Sequence, residues 1–440
     1  MRVETTAIPG LLVVHLDVHG DNRGWFKENW QREKMVAAGL PDFGPVQQNV
    51  SYNGSTGTLR GIHAEPWDKF VSVAAGRAFG AWVDLREGES FGATCWVELD
   101  TATAVFVPRG VANSYQVLED GTAYAYLVND HWSPDATYVN VSALDPALAI
   151  PWPLPPTEMS EKDRAHPVLA DVRPMAPRRT VVIGAGGQLG KALQQVLPGA
   201  EFHDLPEVDL ARPETLDSID WAGVGTLINA AAYTNVDGAE TPEGRRLCWA
   251  INVTGVAAMA RIAVERGMTF VNVSSDYVFD GTAEEHEVDE PVSPLGVYGQ
   301  TKAATEAVTS VVPRHYLVRT SWVVGDGANF IDTMRRLARD GVSPSVVDDQ
   351  FGRLTPASVL AEGIVDLLDS DAPYGVHHVT GRGPIETWAD IARRVFAEEG
   401  RDPADVTGVT TEEYAAGRGD RPTSPRPRHS ALRLPDSPVK

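Results

Sequence analysis

The pattern of apolar residues changes near residue 178, and this change constrains the fold more than any other feature of the sequence. Before residue 178, apolar or alternating runs of about four to eight residues are separated by Gly, Asn, Asp and Pro, which is typical of strands joined by turns. After it, strand-like runs alternate with helical stretches, which predicts right-handed βαβ units. At 440 residues the chain is long enough for two domains, so each pattern is assigned to a domain of its own.

Residues 1–150 are predicted to form an all-β sandwich or barrel, because strand candidates follow one another at short intervals. The strand candidates are Leu11–Leu16, Phe70–Ala74, Phe79–Leu85, Thr94–Leu99, Ala104–Val107 and Ala123–Val128, and the one helix candidate is Arg32–Ala38. Residues 151–177 contain many prolines, which block the interior of helices and sheets, and we interpret them as a connector.

Residues 178–440 are predicted to form an α/β domain, a Rossmann-like doubly wound parallel sheet. Its strand candidates are Arg179–Ile183, Thr226–Asn229 and Thr269–Val273, and its helix candidates are Lys191–Val196 and a stretch near Arg245–Arg266. The tail from Gly417 is rich in Arg and Pro and is predicted to be irregular.

Composition excludes several classes of protein. The chain has 38 Lys and Arg against 60 Asp and Glu, a net charge of −22, which argues against binding to nucleic acid. It has no run of 18 apolar residues, so no membrane span is expected. Cys95 and Cys248 are its only cysteines, and they cannot build a disulfide framework. Because the N-terminus also lacks an apolar signal core, a cytoplasmic location is expected.

A glycine-rich turn stands between the first strand and the first helix of the second half. The sequence from residue 184 to 190 brings Gly184, Gly186, Gly187 and Gly190 to the point where a helix begins. Glycine lets the backbone approach a pyrophosphate, and the helix N-terminus offers N–H groups to it. Glycine turns after strands also serve packing alone, but the strand–turn–helix context favours a dinucleotide site.

Tyr298, Lys302 and Ser275 predict a carbonyl-reducing site. Tyr298 and Lys302 are four residues apart, on one face of a helix, and Ser275 follows a strand at the edge where open α/β sheets bind ligands. A lysine cation one turn away, together with the charge of a bound nicotinamide, favours the phenolate, so the pKa of Tyr298 is expected to be lowered. Without Ser275, the pair would be interpreted as an exposed aromatic residue beside a solvated lysine.

Residues 178–435 resemble the dTDP-4-dehydrorhamnose reductase family of the extended short-chain dehydrogenases/reductases. The matching stretches are Gly184–Gly190, Ala230–Glu240, Ser274–Gly281, Tyr298–Lys302, Arg319–Trp322, Asp349–Arg353 and Arg426–Leu432. The resemblance implies that Tyr298 protonates the substrate C4 oxygen while NADPH, or alternatively NADH, delivers hydride. It also implies that Lys302 holds the ribose and Ser275 orients the carbonyl. The implied cofactor contacts are Gly184, Gly186, Gly187, Gln188, Leu189, Gly190, Asp209, Leu210, Ala230, Ala231, Ala232, Tyr298 and Lys302, and the implied substrate contacts are Thr234, Val236 and Trp322.

Two positions depart from this family, Ser275 where threonine is usual and Leu354 where proline is usual. Ser275 keeps the hydroxyl that the chemistry needs. Asn252 matches the family's structural helix asparagine. The acidic stretch Asp204–Asp209 offers no firm clamp for a 2′-phosphate, so NADPH is expected by resemblance and NADH stays the alternative.

Several residues of the first half suit proton transfer beside a ketone. A histidine such as His63 can remove a proton, Lys69 can stabilise an enolate oxygen, and Tyr126 can return a proton to the opposite face. Arg23 and Arg60 can hold a diphosphate through forked hydrogen bonds. A single histidine on a strand is more often a satisfied core residue, so the chemical interpretation depends on these groups occurring together.

No metal site is predicted in the first half. The sequence His63-Ala64-Glu65 offers one histidine rather than a pair, and no second histidine falls nearby. The next one along the chain is His131, in a polar turn.

Residues 18–163 resemble the dTDP-4-dehydrorhamnose 3,5-epimerase family, whose fold is a cupin-like jelly roll. The matching stretches are Asp21–Glu28, Gln47–Ser51, Leu59–His63, Val83–Arg86, Pro108–Gly110, Asp145–Pro146, Pro151–Leu154 and Ser160–Asp163, with Lys69 and Tyr126. The resemblance implies that His63 is the base, with Asp163 or alternatively Glu161 as its partner, that Tyr126 is the acid and that Lys69 stabilises the enolate. The implied substrate contacts are Arg23, Phe26, Glu28, Gln47, Asn49, Arg60 and Asn113. The family also pairs its jelly rolls, so a homodimer is expected.

Three positions depart from this second family. Asn113 stands where the family has a pocket histidine, Trp132 where it has a tyrosine, and Glu65 where it often has a glutamine. The implied base and acid are retained, so catalysis is expected. Whether one carbon of the sugar is epimerised or two is left open.

Together the resemblances imply a bifunctional enzyme acting on a dTDP-sugar. It would epimerise dTDP-4-dehydro-6-deoxy-D-glucose at C3 and C5 and then reduce the C4 ketone to give dTDP-L-rhamnose. Fusion would keep the two sites at high mutual effective concentration. Three alternatives stay open: a first half that only binds sugar nucleotide, as Asn113 and Trp132 suggest, a non-catalytic regulator, and an enzyme that makes a related deoxysugar.

Overall fold

The computed structural model describes residues 1–133, 136–370 and 372–434. The chain divides into two compact units, Met1–Pro177 and Arg178–Lys440, called here the first and the second unit. Residues 151–177, interpreted above as a connector, therefore belong to the first unit.

The first unit is built almost entirely of short strands. They are β1 (Arg2–Thr5), β2 (Leu12–His15), β3 (Val18–Asp21), β4 (Gly24–Lys27), β5 (Gln47–Asn53), β6 (Leu59–Ala64), β7 (Lys69–Ala75), β8 (Ala78–Asp84), β9 (Thr94–Leu99), β10 (Thr103–Val107), β11 (Val111–Val117), β12 (Thr122–Val128) and β13 (Val139–Asn140), with helices α1 (Arg32–Ala37) and α2 (Glu161–Arg164). Two antiparallel sheets form, in the orders β1-β2-β10-β7-β12-β5 and β13-β6-β11-β8-β9. The jelly-roll architecture is thereby confirmed.

The core of the first unit lies between these two sheets. Val71 and Val73 of β7 and Tyr124 of β12 pack against Trp82 of β8 and Tyr115 of β11, all of them buried. The alternation of side chains along a strand places Lys69 on the same inner face as Val71 and Val73. The polar residues of β7 and β12 that share this face therefore point into the sandwich.

The segment 151–177 packs on the outer face of the smaller sheet. Trp152 contacts the ring of Phe79 edge-on at 5.7 Å and donates a hydrogen bond to the Ala143 carbonyl at 2.8 Å. Met175 is buried, and its N–H bonds to the Leu85 carbonyl at 2.7 Å. Proline keeps this segment free of long helices and strands, but apolar burial holds it in place.

The second unit alternates strands and helices. Its strands are β14 (Arg179–Ile183), β15 (Glu201–His203), β16 (Val224–Asn229), β17 (Thr269–Ser275), β18 (Glu285–His286), β19 (His315–Thr320), β20 (Val323–Val324), β21 (Ser345–Val347), β22 (Phe351–Gly352), β23 (Thr355–Pro356), β24 (Gly375–His378), β25 (Glu386–Thr387), β26 (Thr407–Val409) and β27 (Ala431–Leu432). Its helices are α3 (Gln188–Val196), α4 (Pro242–Trp249), α5 (Val256–Glu265), α6 (Val297–Thr309), α7 (Phe330–Arg339), α8 (Ala357–Asp369), α9 (Trp388–Glu398) and α10 (Thr411–Gly417).

A six-stranded parallel sheet organises the second unit, in the order β15-β14-β16-β17-β19-β24. One face is covered by α5 through Met259 and Ala263, and the other by α8 through Leu360 and Ile364. The doubly wound sheet expected from the sequence is confirmed. Because the strands are buried on both faces, they are continuous apolar runs such as residues 181–183.

The helical stretch Pro242–Glu265 is long and apolar enough to cross a membrane by length and composition alone. It comprises α4, a π-helical turn at Ala250–Gly255, and α5. Its apolar face packs against the parallel sheet, which accounts for its composition.

Candidate functional site

In the first unit, the polar residues of interest come from both sheets and meet between them. His63 on β6 is paired with Asn113 on β11, so their side chains lie on one face. Lys69 and Tyr126 belong to the opposing sheet, and the Lys69 ammonium lies 5.4 Å from the centre of the Tyr126 ring. The Tyr124 hydroxyl donates to Asn113 Oδ1 at 2.9 Å and links the two sheets.

The short helix α2 brings Asp163 to His63. The Ser160 side chain caps this helix by accepting a hydrogen bond from the Asp163 N–H. His63 Nε2 lies 2.8 Å from Asp163 Oδ1, and the Gly61 N–H donates to Asp163 Oδ2 at 3.2 Å. Burial raises the pKa of Asp163, but these hydrogen bonds and the neighbouring histidine charges lower it on balance. Glu161, the other candidate, is exposed on the same helix.

A second histidine also lies at this site, so the sequence-based statement that no histidine falls near His63 was wrong. The rings of His63 and His166 are 5.2 Å apart, and His166 Nε2 is 3.9 Å from Asp163 Oδ1. Burial, and then the charge of His63, lower the pKa of His166 and favour its neutral form. Among the described residues, His63, Asp163 and His166 form the one group of three or more that could hold a metal ion. His166 follows the end of α2 and is three residues from Asp163, and this spacing was the one signal in the sequence, although it does not predict the approach to His63.

Lys69 is buried against Glu65, one of the residues that depart from the family pattern. The two side chains form an ion pair, and only 6 % of the Lys69 side chain and 15 % of the Glu65 side chain are exposed. Burial raises the pKa of Tyr126, Tyr115 adds to this shift, and Arg60 opposes it. Tyr126 is therefore protonated at neutral pH, as an acid must be.

Some of the expected substrate contacts face this interior. On β5, Gln47 Nε2 donates to Asn49 Oδ1 at 2.9 Å. Arg60 Nε donates to Asn53 Oδ1 at 2.8 Å, and Asn53 is itself bonded to the buried Tyr115 hydroxyl. The strand alternation of β5 places Gln47, Asn49 and Asn53 on one side.

The other expected contacts do not join them within one chain. Arg23 is exposed and pairs with Asp21, and Glu28 pairs with Lys34 at 2.5 Å. Phe26 is 65 % exposed on the β3–β4 hairpin.

In the second unit, a cavity of about 740 Å³ opens at the carboxyl ends of the parallel strands. It is lined by all but one of the expected cofactor and substrate residues, namely Gly184, Gly186, Gly187, Gln188, Leu189, Asp209, Leu210, Ala230, Ala231, Ala232, Thr234, Val236, Ser275, Tyr298, Lys302 and Trp322. Gly190 is the exception. A side chain there would meet the Gly184 carbonyl oxygen at 2.1 Å, so this glycine serves helix–turn packing and not direct contact.

The glycine turn fits a pyrophosphate. Gly184 has φ of 98°, and a Cβ on it would lie 2.6 Å from the Ala231 nitrogen, so the backbone reaches this close only with glycine. Helix α3 starts at Gln188, three residues earlier than predicted, with its N-terminus at the cavity. Helix N-terminal N–H groups, small neighbours and a cavity of this size suit a dinucleotide.

Ser275, Asp276 and Tyr298 form a hydrogen-bonded series at the end of β17. The Ser275 hydroxyl donates to Asp276 Oδ1 at 2.8 Å and is hydrogen-bonded to Tyr298. Burial raises the pKa of Asp276 to about 6. Burial and then the Asp276 charge raise the pKa of Tyr298 above its usual value. The expectation of a lowered Tyr298 pKa was therefore wrong for the protein without its cofactor. Desolvation of the phenol raises the pKa by more than the protein's own side chains lower it.

Lys302 lies one helical turn after Tyr298 and is 4 % exposed. Its ammonium donates to the Val273 carbonyl at 2.7 Å. Burial lowers its pKa to about 8, and Glu306 opposes this shift. Asn252 lies in the π-helical turn, and its side-chain oxygen accepts a hydrogen bond from the Tyr233 N–H at 2.8 Å. Its amide also donates to Thr301 on α6. Asn252 therefore connects the loop of small residues after β16 to α6.

Trp322 closes one side of the cavity in an unusual backbone conformation. It has φ of 45°, in the left-handed region, and stacks on Trp388 with ring centres 3.8 Å apart. Trp388 also lines the cavity and was missed in the sequence analysis, where nothing but its aromatic character signalled it.

Family models match both halves of the chain. The model described as RmlD substrate binding domain matches residues 178–437, and the model for dTDP-4-dehydrorhamnose 3,5-epimerase matches residues 5–171.

Individual relatives agree with these matches. A protein described as an RmlC homolog from Streptococcus pyogenes is 51 % identical over 183 residues, which is 40 % of this chain and 92 % of the relative. The dTDP-4-dehydrorhamnose reductase of Mycobacterium tuberculosis H37Rv is 38 % identical over 266 residues, 58 % of this chain and 84 % of the relative. The solved structure of dTDP-4-dehydrorhamnose reductase from Bacillus anthracis in complex with NADP is 30 % identical with a TM-score of 0.53, covering 59 % of this chain and 91 % of that one.

Proposed function

The chain belongs to the dTDP-4-dehydrorhamnose 3,5-epimerase family in its first half and to the dTDP-4-dehydrorhamnose reductase family in its second, and we propose that both sites are active in this one polypeptide. It is a fused enzyme of dTDP-rhamnose synthesis, with a dTDP-sugar as substrate and an NAD(P)H-dependent reductase. Both reactions centre on the same C4 ketone, which acidifies the protons at C3 and C5 before it is reduced.

In the epimerase half, two opposing sheets supply the base and the acid. His63 would remove the proton at C3 or C5, with Asp163 holding the ring and stabilising its charge. Lys69 would stabilise the enolate oxygen at C4, and Tyr126 would return a proton from the other side. The placement of His63 and Tyr126 on facing sheets is the observation that carries this proposal, because inversion requires proton transfer on opposite faces of the sugar.

In the reductase half, Tyr298 would protonate the C4 oxygen, and the Ser275 hydroxyl would donate a hydrogen bond to the same oxygen and so orient the carbonyl. Lys302 is held at the cavity by the Val273 carbonyl and would bind the cofactor ribose. A bound nicotinamide would supply the hydride. The NADP complex of the Bacillus anthracis relative supports NADPH, whereas the acidic Asp204, which lines the cavity directly after β15, favours the alternative, NADH.

Proton NMR in D₂O tests both halves in one sample. The purified chain is incubated with dTDP-4-dehydro-6-deoxy-D-glucose, first without and then with reduced nicotinamide cofactor. We expect deuterium to enter C3 and C5 before cofactor is added, and dTDP-L-rhamnose to form afterwards. Exchange at C3 alone would mean a different final sugar.

Two variants assign the steps to their sites. His63→Ala should abolish exchange and leave reduction intact when a separate epimerase is supplied, and Tyr298→Phe should do the reverse. If the unaltered chain shows no exchange but still reduces epimerised substrate, the first half is a binding module, which is the second candidate that Asn113 favours.

A homodimer of the first unit would complete the epimerase site. Strand β5 is an edge of its sheet, with Val50 62 % and Tyr52 69 % exposed on the outer side. The β3–β4 hairpin, which carries Arg23 and Phe26, pairs only with itself among the described strands. We expect twice the chain mass by light scattering, and we expect Val50→Lys to reduce it to one chain and slow the exchange.

A further inference from the structure

Glu65 and Lys69 form a buried ion pair that the proposed epimerase mechanism does not account for. Glu65 follows β6 directly, and Lys69 begins β7, so the pair bridges a single short turn. Both side chains are more than four-fifths buried, and the Lys69 ammonium also faces the ring of Tyr126. Such a pair is costly to bury unless both charges are held in place.

The turn that joins these residues is fixed by hydrogen bonds to the rest of the unit. The Gly110 N–H donates to the Glu65 carbonyl at 3.1 Å. The Asp68 carboxylate accepts from the Arg109 N–H at 2.8 Å and from Asn129 Nδ2 at 2.9 Å. Asp68 is therefore engaged away from the ammonium, and the spacing of Glu65 and Lys69 is set by a rigid turn.

Burial by itself would discharge Lys69. It lowers the pKa of Lys69 to about 7, so that about half of the amines would be neutral at pH 7. Among the described residues, two titratable side chains contact this ammonium through an ion pair or a ring face, Glu65 from the turn and Tyr126 from β12. Tyr126 is neutral, because burial raises its pKa and Arg60 opposes this only in part. Among the residues that the structure describes, Glu65 is thus the one group in contact with the ammonium whose negative charge would oppose the loss of the proton.

We propose that Glu65 is the positioning residue of the epimerase site, holding Lys69 protonated and directed at the substrate oxygen. This inference rests on the proposed function, since it gives Lys69 the task of stabilising an enolate. A neutral amine has no charge to offer that oxygen, so the carboxylate extends the pH range of the reaction upward. The glutamine that is usual at position 65 would not do this.

The charge of Lys69 can be measured without any activity. The chain has seven lysines, so its ε-¹³C-lysine NMR spectrum is simple, and Lys69→Arg identifies the signal by its loss. We expect the titration midpoint of Lys69 to fall by at least about one pH unit in Glu65→Gln. Lys302 is a matched control, because it is also buried but lies in the second unit, and its midpoint should not move.

The pH profile of deuterium exchange at C3 and C5 gives the second readout. In Glu65→Gln, we expect the alkaline limb of the profile to move to lower pH together with the Lys69 midpoint. Below the new midpoint, the exchange rate should stay within about threefold of that of the unaltered chain. In Glu65→Asp, which keeps the charge, the limb should return toward its original position. A merely structural role would instead lower exchange equally at every pH.

An unchanged Lys69 midpoint in Glu65→Gln would overturn the inference, and so would a uniform loss of exchange with no shift of the limb. If the unaltered chain shows no exchange at all, the proposed epimerase function fails, but the Lys69 titration still decides whether Glu65 holds the charge. Should Glu65→Gln not fold, Glu65→Ala decides in its place, because it also removes the carboxylate: the Lys69 midpoint should fall, and an unchanged midpoint would overturn the inference.

Discussion

Asp163 Oδ1 lies 2.8 Å from His63 Nε2, although 100 residues separate the two along the chain. The contact depends on residues 151–177 packing as part of the first unit, because that segment carries α2 and its Ser160 cap. Asp163 is bonded by both His63 and the Gly61 N–H, which fixes the carboxylate and hence the histidine ring.

Asp163→Asn should lower deuterium exchange at C3 and C5 by about 10²–10⁴-fold, because the amide keeps the shape but cannot stabilise a protonated His63. Exchange is measured by NMR without cofactor. Glu161→Gln, on the exposed side of the same helix, is the control and should leave exchange unchanged. If Asp163→Asn exchanges within threefold of the unaltered chain, Asp163 is not the partner of the base.

Prolonged dialysis against EDTA should leave exchange unchanged. His63 is hydrogen-bonded to Asp163, as a base with its partner would be, and His166 Nε2 at 3.9 Å from the same oxygen is outside hydrogen-bond distance. Exchange is measured before and after dialysis, and again after adding Zn²⁺. Loss of exchange on dialysis with recovery on Zn²⁺ would make these three residues metal ligands instead.

The sequence predicted both folds correctly, and it predicted strands β7 and β12 of the epimerase site, but it missed three other strands of that site. Strands β5, β6 and β11 were not predicted, because Gln47–Asn53, Leu59–Ala64 and Val111–Val117 carry polar residues where a sandwich core would have apolar ones. Local pattern rules depend on apolar alternation, and a polar pocket inside a sandwich removes it. Their family resemblance, and not their periodicity, revealed them.

Two further features could not be predicted from local sequence patterns: contacts between residues far apart in the chain, and pKa shifts caused by burial. The approach of His166 to His63 depends on how α2 packs on β6, and spacing alone does not give it. The raised pKa of Tyr298 depends on burial, whereas the Tyr298–Lys302 spacing only indicates that a cation is one turn away. The motif residues of the second unit, in contrast, do meet at one cavity, because the strand ends of a parallel sheet converge at one edge, and their roles there stay predictions.

Asp276→Asn should move the alkaline limb of the reduction rate to lower pH. Tyr298 must carry a proton to protonate the C4 oxygen, and the Asp276 charge raises the pKa of Tyr298, so removing the charge lowers it. Because the pKa of Asp276 is about 6, the carboxyl is largely neutral below that pH and the two proteins should then behave alike. An asparagine still accepts the Ser275 hydrogen bond.

The rate is measured as cofactor oxidation with a separate epimerase in excess, so that reduction limits it. A shift of at least about half a pH unit is expected. A limb that stays in place, or that moves to higher pH, would show that Asp276 does not act on Tyr298 through its charge.

Asp204 stands where the adenosine ribose of a dinucleotide is expected. It comes directly after β15 and twenty residues after Gly184, and its carboxylate accepts a hydrogen bond from the Gly186 N–H. An acid at this position suits the 2′-hydroxyl of NADH and repels the 2′-phosphate of NADPH. Among the described residues that line the cavity, Lys302 is the one Lys or Arg, and it lies near Tyr298.

We therefore expect this chain to bind NADH more tightly than NADPH, by about tenfold or ~1.4 kcal/mol, and Asp204→Asn to remove most of the difference. Binding is measured by calorimetry for both cofactors, without sugar substrate, so the result does not depend on catalysis. Asp326→Asn is the control, because Asp326 lines the same cavity and its loss should weaken the repulsion of both cofactors alike. Tighter binding of NADPH, with no response to Asp204→Asn, would place the 2′-phosphate away from Asp204 and restore the NADPH preference that the family resemblance implies.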